Sequence, residues 1–267
     1  MFTTYWEMEF NPFSKENSTE HYFESEDFKQ ATARLNRLKE SKGIGLFTGR
    51  PGLGKTSTIK KFVEDLNPSL FKYIYLPLST LTVMEFYRAI AFGLGLPPLF
   101  KKIDMFHSIQ DRIVSLSKDK NVTTVLVVDE GQYLNSKILN DLKILLNFEI
   151  DAKNYAAVII AGLPVLNSNL TISTHEALVQ RIIINYTFIG LSKAELSDYV
   201  DTRLKSCSTH VNMFSENAIE AIWACSSGCP RVINNIAEKC LILGFHKNIK
   251  IIDSEIVMLV NNDISLI

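Results

Sequence analysis

The sequence predicts an α/β fold: a parallel five-stranded sheet with helices on both faces, followed by a small all-α domain. Two observations predict it. Apolar, β-branched runs alternate with stretches of helical periodicity from about residue 43 to residue 189. After Gly190 the strand patterns cease and four helical patterns follow. At 267 residues, 46% of them hydrophobic, the chain has room for one large domain and a small appendage. The expected divisions are an N-terminal segment and helix at 1–42, an α/β domain at 43–189 and a helical domain at 190–267.

Taken in order, SEDFKQATARLNRLKESK places Phe28, Ala31, Leu35 and Leu38 at helical spacing. GIGLFTG is a short apolar run ending in glycine, which suits a buried strand. Thr56 to Leu66 reads as a helix with Ile59, Phe62 and Val63 on one face. KYIYLPL is the second strand, and TVMEFYRAIAFGLGL is a helix stopped by glycine and Pro97–Pro98. DMFHSIQDRIVSLSKDK turns Phe106, Ile109, Ile113 and Leu116 inward. TTVLVVD is a continuous apolar strand of the kind buried on both faces. SKILNDLKILLNF follows as a helix, then YAAVIIAG and RIIINYTFI as the fourth and fifth strands. LSKAELSDYVDTRLKSC, SENAIEAIWACSSG, PRVINNIAEKCLILGFH and DSEIVMLVNND are the four later helices.

Between the first strand and its helix lies GRPGLGKTS, which matches GxxxxGK[ST]. Glycines let such a loop curl so that its N–H groups point at phosphate oxygens, and the helix N-terminus adds positive potential. Gly49, Pro51, Gly52, Leu53, Gly54, Lys55, Thr56 and Ser57 are therefore the candidate nucleotide-binding residues. Lys55 reaches the β- and γ-phosphates, and the Thr56 hydroxyl ligates Mg²⁺. The third strand ends in Asp129-Glu130. A carboxylate there can hold Mg²⁺ through water, and Glu130 can deprotonate a water that attacks the γ-phosphate. ATP with Mg²⁺ is the expected ligand, and hydrolysis the expected reaction.

Two arginines extend the candidate site. Arg181 closes the short helical stretch THEALVQRI; it is either an arginine finger for a neighbouring subunit or a plain surface residue. Arg231 follows Pro230 at a helix start, where it either folds back onto the phosphates or binds nothing. FNPF, with Tyr22 and Phe23, either packs over an adenine ring or clips the N-terminus onto the core. His107 and His175 fit solvated helix faces.

The formal net charge of −1 neither points to nucleic acid nor excludes it. Lys101, Lys102, Lys118, Lys120 and Lys137 either form a local basic face or are ordinary surface. No apolar run is long enough to span a bilayer, and MFTTYWEMEF lacks the basic start of a signal peptide. A cytoplasmic protein with no membrane contact is expected. The four cysteines, at 207, 225, 229 and 240, suit buried free thiols better than a metal site.

With FNPF, KGIGLFTGRPGLGKTS, VLVVDEGQYLNSKILNDLKILLNFEID, VIIAGLPVLN, EALVQRI and SSGCPRVIN in order, the chain resembles an AAA+ ATPase. Within that group it resembles the bacterial ATPases related to general secretion protein A and to transposition ATPases. The resemblance implies a P-loop sheet with a helical lid and a homo-oligomer, ring or filament, whose neighbours complete each active site. In the transposition branch it implies binding to duplex DNA without sequence preference and recruitment of a DDE transposase. In the secretion branch the ATPase is joined to a membrane span and a peptidoglycan-binding domain, and the lack of both here puts transposition first. The other readings are a protein-assembly ATPase without DNA binding and a nucleotide-gated scaffold with negligible hydrolysis.

Two positions depart from the family pattern. Gly131 stands where alanine is usual, a mild change. The fourth strand is usually followed by Gly-Gln-Pro, but here by Gly162-Leu163-Pro164. Leucine cannot hydrogen-bond, so that polar sensor is absent or displaced to Asn167, and slow or partner-dependent hydrolysis is expected.

Overall fold

The structure is a computed structural model, and it describes residues 2–14, 22–77, 81–148, 153–208 and 212–264. In chain order the elements are α1 (Phe2–Tyr5), α2 (Glu26–Ser41), β1 (Gly43–Gly49), α3 (Lys55–Glu64), β2 (Phe71–Leu76), α4 (Val83–Gly93), α5 (Lys102–Asp119) and β3 (Thr123–Val128). Then come α6 (Ser136–Leu145), β4 (Ala156–Gly162), α7 (Val165–Leu170), α8 (Glu176–Val179), β5 (Ile182–Phe188), α9 (Lys193–Lys205), α10 (Glu216–Ser226), α11 (Pro230–His246) and α12 (Ser254–Ile264). The chain divides into two compact units. One comprises 30–51 and 55–188; the other comprises 1–29, 52–54 and 189–267.

The first unit is a five-stranded parallel sheet in the order β2-β3-β4-β1-β5, with helices on both faces. All seven residues of β1 are buried, as are all seven of β4, which explains why both read as unbroken apolar runs. β2 is an edge strand, and there Tyr73 and Tyr75 are exposed while Ile74 and Leu76 are buried. After β1 the chain crosses to the far edge and returns strand by strand, then places β5 on the other side of β1. The reversal of order puts the C-terminal end of β1 at a topological switch point, where open α/β sheets bind ligands.

Some helix starts are set by side chains that accept from orphan N–H groups. Thr82 and Glu85 form a capping box on α4, and the Asn135 side chain caps α6. On α5 the buried stripe is Met105, Ile109, Ile113 and Leu116. Phe106, expected to face inward, is only partly buried, because Met105 occupies the centre of that stripe.

The second unit packs α9–α12 around Leu196, Ile222, Ile236, Ala237 and Val257. The N-terminal segment belongs to this core: Trp6 is buried and its indole N–H donates to the Leu241 carbonyl at 2.9 Å. Phe13 is buried against Phe214, so this part of FNPF takes the role of an apolar clip. None of the four cysteines is in a disulfide. Burial pushes the Cys207 thiol up to about 11 and the Cys240 thiol up to about 12, so neither is a ready nucleophile. Trp6→Ala empties a large buried volume and removes the indole donor to the Leu241 carbonyl; it is expected to destabilise this unit by about 3–5 kcal/mol in urea unfolding followed by circular dichroism.

Candidate active site

The glycine-rich loop leaves β1 at Gly49, which is buried, and passes through Pro51, which is exposed. Gly52 and Gly54 hold φ of +81° and +92°, a region that side-chain-bearing residues avoid. Leu53 between them is buried and Ser57 is exposed. A Cβ built at Gly54 would meet nothing within 4 Å, so the loop keeps open space above it. Lys55 is buried, and its ammonium donates to the carbonyls of Gly49 at 2.7 Å and Arg50 at 2.9 Å. Those carbonyls hold the charge at the mouth of the loop.

Thr56, one residue on, donates its hydroxyl to Asp129 Oδ2 at 3.0 Å. Asp129 follows β3 and is only 5% exposed, so its carboxylate has to be met by donors. Tyr75 OH donates to the same Oδ2 at 2.8 Å, and the Glu130 N–H donates to Oδ1 at 2.9 Å. Burial, the hydrogen bond to Asp129 and the charges of Asp129 and Glu130 push the Tyr75 phenol well above its usual range. At neutral pH Tyr75 is therefore a donor to Asp129. A hydroxyl and a carboxylate at this separation are the hard oxygen donors that Mg²⁺ takes, so these residues fit a magnesium nucleotide.

Glu130 is exposed and adopts the left-handed conformation, φ 53° and ψ 38°. For a glutamate this backbone costs on the order of 1–3 kcal/mol. It turns the chain into a single 3₁₀ turn, Gly131–Tyr133, so that the acid stands clear of the sheet. Gln132 Nε2 donates to Glu130 Oε2 at 2.6 Å, while Gln132 Oε1 accepts from the Leu163 N–H at 3.0 Å. A Cβ at Gly131 would lie 2.7 Å from Ile160 Cγ2 and 3.1 Å from the Ala161 carbonyl oxygen. The change from alanine is therefore not mild in this chain: the turn lies too close to β4 for a methyl group.

At the Leu163 position no polar side chain is available, as the sequence indicated. Asn167 instead donates Nδ2 to Thr48 Oγ1 at 3.1 Å, and Thr48 meets the Thr187 hydroxyl at 3.2 Å. Asn167 Oδ1 is buried with no hydrogen-bond partner among the described residues. Arg181 is half-buried, and its Nη1 donates to the Lys143 carbonyl at 2.9 Å. Arg231 is exposed, and its backbone N–H donates to the Gly52 carbonyl at 3.3 Å. A Cβ at Gly52 would lie 2.7 Å from Arg231 Cβ, so only glycine allows that approach.

Other expectations are corrected. His175 is buried rather than solvated, with Nε2 3.2 Å from Ser136 Oγ, because the 3₁₀ turn before α8 packs it against the start of α6. Of the two readings of the lysines, Lys101 and Lys120 fit ordinary surface, since they flank opposite ends of α5, about 28 Å apart at the helical rise. Lys102 pairs with Asp141, and Lys118 lies over the Tyr155 ring. Tyr75, Gln132 and Thr48 were not singled out from the sequence. The one available signal was Gln132's position two residues after Glu130.

Residues 37–170 match the family model described as AAA domain. The chain belongs to this family of ATPases. It is 30% identical over 250 residues to general secretion pathway protein A of Aeromonas hydrophila, across 92% of this chain and 45% of that protein. The chain thus spans less than half the length of this curated relative. Cdc6p from Pyrobaculum aerophilum is a similar solved structure, with TM-score 0.65, 20% identity and coverage of 90% of this chain and 67% of that one. The ORC1 protein of Aeropyrum pernix, solved in complex with DNA, gives TM-score 0.67 and 14% identity over 95% of this chain and 68% of that one. The RuvB branch migration motor of Thermotoga maritima gives 0.57 and 18% over 94% and 71%. At these identities the structural likeness carries the AAA+ fold alone. Among the described residues no helix is long and apolar enough to cross a membrane.

Two substitutions test this geometry. Lys55→Ala removes the ammonium held at the mouth of the loop and is expected to weaken ATP binding about 10–100-fold in equilibrium titration. Gly131→Ala is expected to lower stability by about 1–3 kcal/mol in chemical unfolding, through overpacking against Ile160.

Proposed function

We propose that this chain is a magnesium-dependent ATPase that assembles side by side on duplex DNA, without sequence preference, and recruits a DDE transposase to it. The observation that carries the hydrolytic part is the Thr56–Asp129 hydrogen bond at 3.0 Å, directly followed in the chain by the outward-turned Glu130. In this reading the loop N–H groups and Lys55 bind the β- and γ-phosphates of ATP, and Thr56 and Asp129 hold Mg²⁺. Glu130 takes the proton of the attacking water. Mg²⁺, when bound, neutralises charge on the β- and γ-phosphate oxygens. Arg231 senses the phosphates, and Arg181 reaches the γ-phosphate of a neighbouring subunit after release from the Lys143 carbonyl.

The DNA part is supported by the run from Asp129 to Asp151, which resembles the transposition ATPases. A further support is the fold shared with an ORC1 protein solved in complex with DNA. A protein-assembly role without DNA is the second reading, favoured by the 30% identity to general secretion pathway protein A. A scaffold with negligible turnover is the third, favoured by the apolar side chain of Leu163.

ATPase assays with and without duplex DNA, on the wild type and Glu130→Gln, separate the three. Turnover raised severalfold by DNA is expected, with Glu130→Gln slower by about 10²–10⁴-fold. Turnover indifferent to DNA favours the second reading, and negligible turnover in both proteins favours the third. Retention of DNA by ATP-loaded protein is expected to fall steeply with salt, because phosphate contacts dominate.

A further inference from the structure

A general base on an exposed turn has a problem of direction. Glu130 is exposed, so nothing in its own burial fixes its carboxylate. The neighbouring amide does so. Gln132 Oε1 accepts from the Leu163 N–H at 3.0 Å, and that N–H can only donate. The amide orientation is therefore determined, and Nε2 must be the atom that faces Glu130 Oε2 at 2.6 Å. One carboxylate oxygen is held, and the other is left for a water.

The surroundings are shaped for this bridge. A Cβ at Gly162 would lie 2.8 Å from Gln132 Oε1 and 3.2 Å from Gln132 N, so the end of β4 admits the amide only because residue 162 has no side chain. Position 163 then contributes through its backbone, which leucine supplies as well as any residue. The contact that Leu163's side chain cannot make is replaced by one its N–H does make.

We propose that Gln132 is the positioning residue for Glu130, bridging it to the end of β4 through the Leu163 N–H. The proposal rests on Glu130 acting as the base. Gln132→Glu isolates the contact: it keeps the shape and an acceptor for the Leu163 N–H but loses the donor to Glu130. Gln132→Ala removes both bonds. Steady-state ATP hydrolysis and equilibrium binding of a non-hydrolysable ATP analogue are measured for each variant, for Glu130→Gln and for the double variant Gln132→Glu/Glu130→Gln.

The expected result is a kcat at least tenfold lower in both Gln132 variants, with analogue affinity within threefold of wild type. The double variant is expected to be no slower than Glu130→Gln alone, because residues acting as one unit are not additive. Wild-type or faster turnover in Gln132→Glu would overturn the proposal, as would a further loss in the double variant or affinity lost in step with kcat. Wild-type turnover in Glu130→Gln would instead remove Glu130 as the base, a failure that this control reports separately.

Discussion

The carboxylate of Asp129 is buried at the end of a central strand, where an unpaired charge would cost several kcal/mol. The surrounding elements meet that demand. The first turn of α3 supplies the Thr56 hydroxyl, edge strand β2 supplies Tyr75, and the chain after β3 supplies the Glu130 N–H. Satisfying one buried acid thus ties the phosphate loop's helix to two neighbouring strands. It also constrains the turn that carries Glu130, because the N–H that points in at Asp129 belongs to a residue in the left-handed conformation.

A second set of contacts closes round the ends of β1 and β4. Gln132 joins the turn to Leu163, and Asn167 joins α7 to Thr48, which in turn meets Thr187 on β5. Neighbouring strands pair in parallel register here: Thr48 lies opposite Gly162 on β4 and Thr187 on β5. Residues far apart in sequence are thereby brought to the same edge of the sheet. Strand register aligns Thr48, Gly162 and Thr187 at this end of the sheet, and the Gln132 and Asn167 side chains tie the adjoining turn and α7 to it.

Elements whose signal is local were legible in the chain. β1, β3 and β4 are continuous apolar runs because both of their faces are covered, and the loop after β1 carries its own glycine spacing. Tyr75 was not legible, since a tyrosine says nothing by itself about a carboxylate it meets through the fold, and Gln132 showed only its place two residues after Glu130, not the Leu163 N–H that turns its amide. His175 misled for a related reason. A histidine in a polar stretch reads as solvated, and only the packing of its 3₁₀ turn against α6 buries it. At Gly131 the sequence comparison suggested a tolerable change, while the close approach of Ile160 and the Ala161 carbonyl forbids a methyl group there.

The sequence by itself determined the layer architecture, the order of strands and helices along the chain, the phosphate loop and the acidic pair after β3. Each is written in periodicity or spacing that short-range chemistry enforces. The tertiary structure alone decided the strand order β2-β3-β4-β1-β5 and the donors that gather on Asp129. It also decided the amide that holds Glu130 and the carbonyl that holds Arg181. Those depend on which strand ends meet, and that is settled by long-range pairing and by the need to satisfy buried polar groups, not by any local run of residues.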